Sequence, residues 1–150
     1  MSETARIRIA NPEAIVMRSV SPTFFKNGMV VDEAFRVNPQ RDGSKLSVSQ
    51  ESKISPADFI REISLIRKAP AGLARLSVEE VEGIPISQST QPELGQEVGL
   101  TVWDDSMFDD VPDHHAHIEH DLVMGDDHLR KAVRKILAAR ANRNGRFYKN

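Results

Sequence analysis

The chain of 150 residues contains no cysteine. That absence excludes a disulfide scaffold, an iron–sulfur cluster, a Cys-ligated zinc and a thiol nucleophile. Large aromatics are scarce, with one Trp, one Tyr and six Phe, so no aromatic-rich nicotinamide pocket is visible. Long apolar runs are missing too. The longest aliphatic stretch near the start is Ala14-Ile15-Val16-Met17, far short of the roughly 20 residues that cross a bilayer. The opening residues lack the charged, apolar, small-residue order of a signal peptide. A cytoplasmic protein without a membrane role is expected. The glycine patterns of phosphate-binding loops and the G-x-S-x-G hydrolase elbow are absent.

Basic residues are missing from one long window. Residues 76–129 carry 14 acids and no Lys or Arg, whereas residues 1–75 carry 12 Lys/Arg and 8 acids, and residues 130–150 carry 8 Lys/Arg and no acid. The formal charge of −2 hides this segregation. Three consequences are open: the basic C-terminal block packs on the acidic block within one molecule, an acidic face meets a positively charged partner or a cation, or the acids are solvated surface with no role. Otherwise the composition is ordinary, with 39% apolar and 28% charged residues. It fits one globular domain large enough to bury a core.

The first half reads mainly as strands. Arg6-Ile7-Arg8-Ile9 alternates polar and apolar, residues 14–20 form a second strand, Lys26-Asn27-Gly28 is a turn, and Lys45 to Ser49 is a further strand. Met29 to Val31 and Ala34 to Val37 are strand or irregular. Asn38-Pro39 and Asp42-Gly43 punctuate the chain between them. A helix begins at Ser55, an N-cap followed by Pro56 and Asp58, with Phe59, Ile60, Ile63 and Ile66 on one face and a stop before Pro70. Residues 72–81 read as a strand, as do Gly99 to Trp103 and residues 115–124. Pro85 and Pro92 break regular structure between 84 and 95, and residues 104–114 read as an acidic loop. A second helix starts at Asp126 or Asp127 and runs to residue 141, with Leu129, Ala132, Val133, Ile136 and Leu137 at helical spacing. The expected fold is α+β: one domain over 1–141, a mixed or antiparallel sheet with two main helices, then a basic tail at 142–150.

All five histidines fall between His114 and His128, as His114, His115, His117, His120 and His128. On a strand His115, His117 and Glu119 share one side. Imidazole and carboxylate together suit a divalent transition metal, with His115, His117, His120 and Asp113 as candidate ligands. A second constellation joins an early-strand Arg18, a later-strand Ser47 and a late Glu, either Glu80 or Glu119. These are the elements of an ADP-ribosyltransferase site. Arg36 is an alternative for the Arg. Nucleic-acid contact would run through Arg130, Lys131, Arg134 and Lys135.

Arg18-Ser19-Val20-Ser21-Pro22, Phe25, Ala34-Phe35, Asp42-Gly43, Leu46-Ser47-Val48 and His115-Ala116-His117-Ile118 follow one another in a fixed order. In that order they resemble a family of small uncharacterised bacterial proteins with Arg/Ser-Pro/Phe, Ala-Phe, Leu-Ser-Val and His-Ala-x-Ile fragments. The resemblance spans residues 17–118 and implies no particular activity. It aligns Ser47 and His115 with the Ser and His of those fragments.

The resulting expectation is a binding or interaction module whose acidic, His-rich face takes a protein partner or a small-molecule ligand. The alternative is a small enzyme, with candidate catalytic residues Arg18, Ser47, His115 and Glu119. It would be a metal-assisted hydrolase using His115, His117 and His120, or a nucleotide-directed transferase using Arg18, Ser47 and the late Glu.

Overall fold

A computed structural model describes residues 7–37, 45–84, 99–120 and 127–150. The turns expected at Asn38-Pro39 and Asp42-Gly43, the breaks at Pro85 and Pro92, the end of the strand at 121–124 and the cap at Asp126 lie outside the described residues, as does the side chain of Asp127. Among the described residues, seven strands form one sheet in which every pairing is antiparallel. In chain order these are β1 (Ile7–Arg8), β2 (Ile15–Val20), β5 (Lys45–Gln50), β6 (Gly72–Ser77), β7 (Thr101–Asp104), β8 (His115–Glu119) and β9 (Phe147–Lys149). Their spatial order is β1-β7-β8-β5-β2-β6-β9. A separate hairpin joins β3 (Phe25–Lys26) to β4 (Met29–Val30). Its turn places Asn27 and Gly28 at positive φ, the backbone region those two residue types tolerate best. Among the described residues three α-helices join the sheet: α1 (Pro56–Ser64), α2 (Val78–Glu82) and α3 (Asp127–Ala141). The architecture is α+β.

Alternation along the strands sorts side chains onto two faces. Val16, Val20, Leu46, Val48, Ala74, Leu76, Val102, Ala116 and Ile118 form the larger core, together with Leu129, Val133 and Leu137 of α3 and Val78 and Val81 of α2. On the other face Met17 and Leu73 pack with Ile60 and Ile63 of α1. The apolar stripe of α3 is therefore core packing, as its spacing predicts. The helix α1 starts as expected, with the Ser55 hydroxyl accepting from the Asp58 N–H at 3.2 Å. It stops at Ser64, so Ile66 is 80% exposed and not part of the buried stripe.

Two elements differ from expectation. The strand at 72–81 ends at Ser77, because Ser77 and Glu80 close a capping box and start α2. Each satisfies the other's orphan N–H, and that local gain outweighs continued strand pairing. Residues 142–150 are not a free tail. Phe147–Lys149 forms the edge strand β9 against β6, and the Phe147 ring stacks on Phe25 at 4.6 Å between centroids.

Part of the acidic window is paired with basic side chains inside the molecule. Glu80 meets Arg146 at 3.1 Å and Arg143 at 3.7 Å, while Arg140 donates to the Glu80 and Gly83 carbonyls. Glu82 meets Arg8 at 2.8 Å and Asp104 meets Lys53 at 3.0 Å. Asp109, Asp110 and Asp113 remain exposed.

Candidate functional site

The sheet opens in its middle. The strand β2 pairs with β6 through six residues, from Ile15 to Val20, but with β5 only through Val16↔Gln50 and Met17↔Ser49. Past Met17 the two strands separate, and Arg18 spans the gap. Its Nε donates to the Ala34 carbonyl at 2.7 Å and its Nη1 to the Ser47 carbonyl at 2.8 Å. A guanidinium suits this task because its planar fork reaches two acceptors from one rigid group.

The opening is a cleft of about 670 Å³. That lies within the range of roughly 300–1,000 Å³ typical of small-molecule sites. Arg18, Ser47 and His115 all line it, so three residues far apart in sequence meet in one concavity. Strand register explains part of this. Ser49 pairs with both Met17 and His115, and Ser47 with His117, which lays hydroxyls and imidazoles side by side on the face that α1 covers only partly. The helix contributes Phe59, Glu62 and Ile63, and the chain beyond it contributes Arg67 and Lys68. Among the lining residues Arg18, Lys45, Arg67 and Lys68 stand against the single carboxylate of Glu62. A protein of net negative charge thus presents a locally basic cleft.

His114 sits at the foot of this cleft, 5% exposed. Its Nδ1 is 3.0 Å from the Ser49 hydroxyl and its Nε2 2.8 Å from Glu62 Oε1. Phe59 meets the ring edge-on, with centroids 5.5 Å apart. Ser49, Glu62 and His114 do not stand out in the sequence as a group. Glu62 is one turn from Phe59 on α1, which is the signal that would have placed it, but its partner lies 52 residues on.

The remaining sequence candidates part company. His115 and His117 both direct Nδ1 at Asp105, at 2.9 and 2.8 Å. One buried carboxylate thus orients two rings. His117 Nε2 is buried 3.5 Å from Glu119 Oε2. Glu119 does not line the cleft, nor does Glu80, which lies on α2 and pairs with Arg146 and Arg143 from the chain after α3. The carboxylate that Arg18 and Ser47 share a cleft with is Glu62. His120 is buried beside a different cavity of about 430 Å³ with Arg130, Lys131 and Arg134. Asp113 is on the exposed loop and His128 is exposed. Among the described residues, no group of three His, Cys, Asp or Glu side chains is arranged to hold a metal ion. Of the basic residues proposed for nucleic acid, Arg134 is held by Asp32 at 2.7 Å and Glu33 at 3.5 Å. Among the described residues no helix is long and apolar enough to cross a membrane.

Asp104, the last residue of β7, ties that strand to the end of β5 and the turn after it. It accepts from Gln50 Nε2 at 2.9 Å, Lys53 Nζ at 3.0 Å and the Ser106 N–H at 2.8 Å. Burial works against its ionisation, but hydrogen bonds from Ser106, Lys53 and Gln50 outweigh that and pull its pKa down to about 2. A depressed carboxylate stabilises the fold above its unfolded value and loses that contribution as pH falls through the folded one. Asp104→Asn is therefore expected to cost about 1–2 kcal/mol at neutral pH. The difference from the parent should close between pH of about 4 and about 2. Urea midpoints at pH 7, 5 and 3 check this.

No protein-family model, curated protein or solved structure matches this chain, so the chemistry of the cleft rests on its own geometry.

Proposed function

We propose that the chain binds a small organic anion, of the phosphate-bearing class, in the cleft between β2 and β5. The observation that carries this reading is the opening of an otherwise continuous sheet at Arg18, with four basic side chains and one carboxylate around it. Arg and Lys supply charge, the Ser19, Ser21 and Ser47 hydroxyls supply donors, and Phe24, Phe59 and Ile63 supply an apolar wall. Few, convergent polar groups on an apolar surface are the usual composition of a small-molecule site. The ordered sequence fragments that carry the family resemblance include Arg18, Ser47 and His115, three of the residues that line the cleft.

Glu80, Glu82 and Asp104 of the acidic window are paired internally, whereas Asp109, Asp110 and Asp113 stay exposed. Calorimetric titration with ADP and with inorganic pyrophosphate tests the proposal. Saturable binding is expected that weakens with ionic strength. The double variant Arg67→Ala/Lys68→Ala should weaken it by about tenfold, the scale of one charge-assisted contact. Binding that ignores this double variant, or the absence of any saturable heat with either probe, would overturn it.

A further inference from the structure

We infer that Ser49 is a nucleophile activated by His114, and that the chain cleaves esters of small organic anions. The placement of His114 between a hydroxyl and a carboxylate carries the inference. An ionised Glu62 only accepts, so the 2.8 Å contact requires His114 Nε2 to carry a hydrogen. In the neutral ring Nδ1 then holds the lone pair, and the 3.0 Å contact requires the Ser49 hydroxyl to donate to it. A serine O–H aimed at an imidazole lone pair, with the opposite ring N–H held by a carboxylate, is the arrangement that lets imidazole take the serine proton.

The trio is assembled from three separate elements. Ser49 comes from β5, Glu62 from α1, and His114 from the residue before β8. All three line the cleft. Ser49 and His114 are 3% and 5% exposed, so water competes little for their hydrogen bond. The ring is pinned by the edge of Phe59, and its backbone carbonyl accepts from the Gln50 N–H at 2.8 Å. Ser49 pairs with Met17 of the smaller apolar cluster. Burying the Ser49 and His114 side chains beside it costs free energy that apolar side chains would not.

The step balances without a cofactor. Ser49 Oγ attacks the ester carbonyl carbon while its proton passes to His114 Nδ1. The ester C–O bond then breaks, and the same proton leaves with the alcohol. Water attacks the acyl-serine, giving its proton to Nδ1 and releasing the acid, with the hydroxyl proton returned to Ser49. Glu62 holds the ring and stabilises its transient positive charge. The anionic character of the substrate rests on the reading of the cleft above, whereas the nucleophile does not.

The test treats the full chain with a neutral alkyl fluorophosphonate, whose P–F bond breaks as the serine O–P bond forms, and locates the adduct by peptide mass spectrometry. One adduct per chain at Ser49 is expected, and none in Ser49→Ala. His114→Gln should slow labelling by roughly 10²- to 10³-fold, and Glu62→Gln, at a half-exposed position, should slow it by about tenfold. In the parent the rate should rise with pH to a plateau through one ionisation, and that rise should vanish in His114→Gln. A structural histidine would not produce such a profile. Circular dichroism confirms that each variant is folded. An unlabelled parent, an adduct at another serine, or equal rates in parent and His114→Gln would overturn the nucleophile. Turnover of p-nitrophenyl butyrate and the mono-p-nitrophenyl ester of succinate then separates the two claims. Faster cleavage of the charged ester supports both. Equal cleavage, with Ser49 still labelled, overturns only the anionic substrate.

Discussion

Arg18→Ala should lower the melting temperature by roughly 5–12 °C and abolish anion binding. The guanidinium satisfies the carbonyls of Ala34 and Ser47 where β2 and β5 have already parted. Removing it leaves two backbone acceptors without their charged donor, a loss of about 2–4 kcal/mol. It also removes the group that sets the width of the cleft. Arg18→Lys should recover less than half of the stability, because an ammonium cannot span both acceptors with the same fixed fork. Differential scanning calorimetry measures both variants. A shift under about 2 °C for Arg18→Ala would mean that the strands are held apart by something else.

Gly72→Ala should detach the C-terminal strand. A Cβ at this position would overlap the Tyr148 carbonyl and the Phe147 ring. A backbone atom cannot swing aside, so β9 has to leave β6. With it go the pairings to Gly72, Leu73 and Ala74, the Phe147 stack on Phe25, and the Asn150 bond to the Pro70 carbonyl at 2.9 Å. The expected cost is about 3 kcal/mol. Hydrogen exchange at residues 146–150 should rise in the variant while β5 and β8 stay protected. Unchanged protection at the C-terminus would show that the edge strand tolerates the displacement.

Local chemistry explains which parts of the fold were legible in the sequence. The Ser55 cap, the Asn27-Gly28 turn and the stripe of α3 each depend on residues within a few positions of one another, and each is observed. The capping box at Ser77 and Glu80 was equally local, but the apolar alternation of Ala74, Leu76 and Val78 disguised it as a longer strand. The strand β9 depends on Gly72 and Phe25, both remote, so Phe147-Tyr148-Lys149 looks like a basic tail in isolation. The site divides in the same way. Arg18, Ser47 and His115 were visible as polar residues in strand-like segments, and the fold brings them together. Glu62 and Ser49 acquire a role only when α1 is laid against the β5–β8 register, a tertiary fact that no spacing encodes. The histidine cluster was the most prominent feature of the sequence. Its rings separate because alternation and the end of β8 send His117 and His120 to different surroundings.

The most direct test follows backbone amide and histidine-ring resonances of the labelled full chain during titration with ADP. If the cleft at the split strands is the ligand site, saturable shifts should concentrate at Arg18, Ser47, Ser49, His114 and Arg67, while His120 and α3 stay unmoved. Shifts that map to the cavity beside His120 and Arg130, or that spread over the surface without saturating, would contradict it.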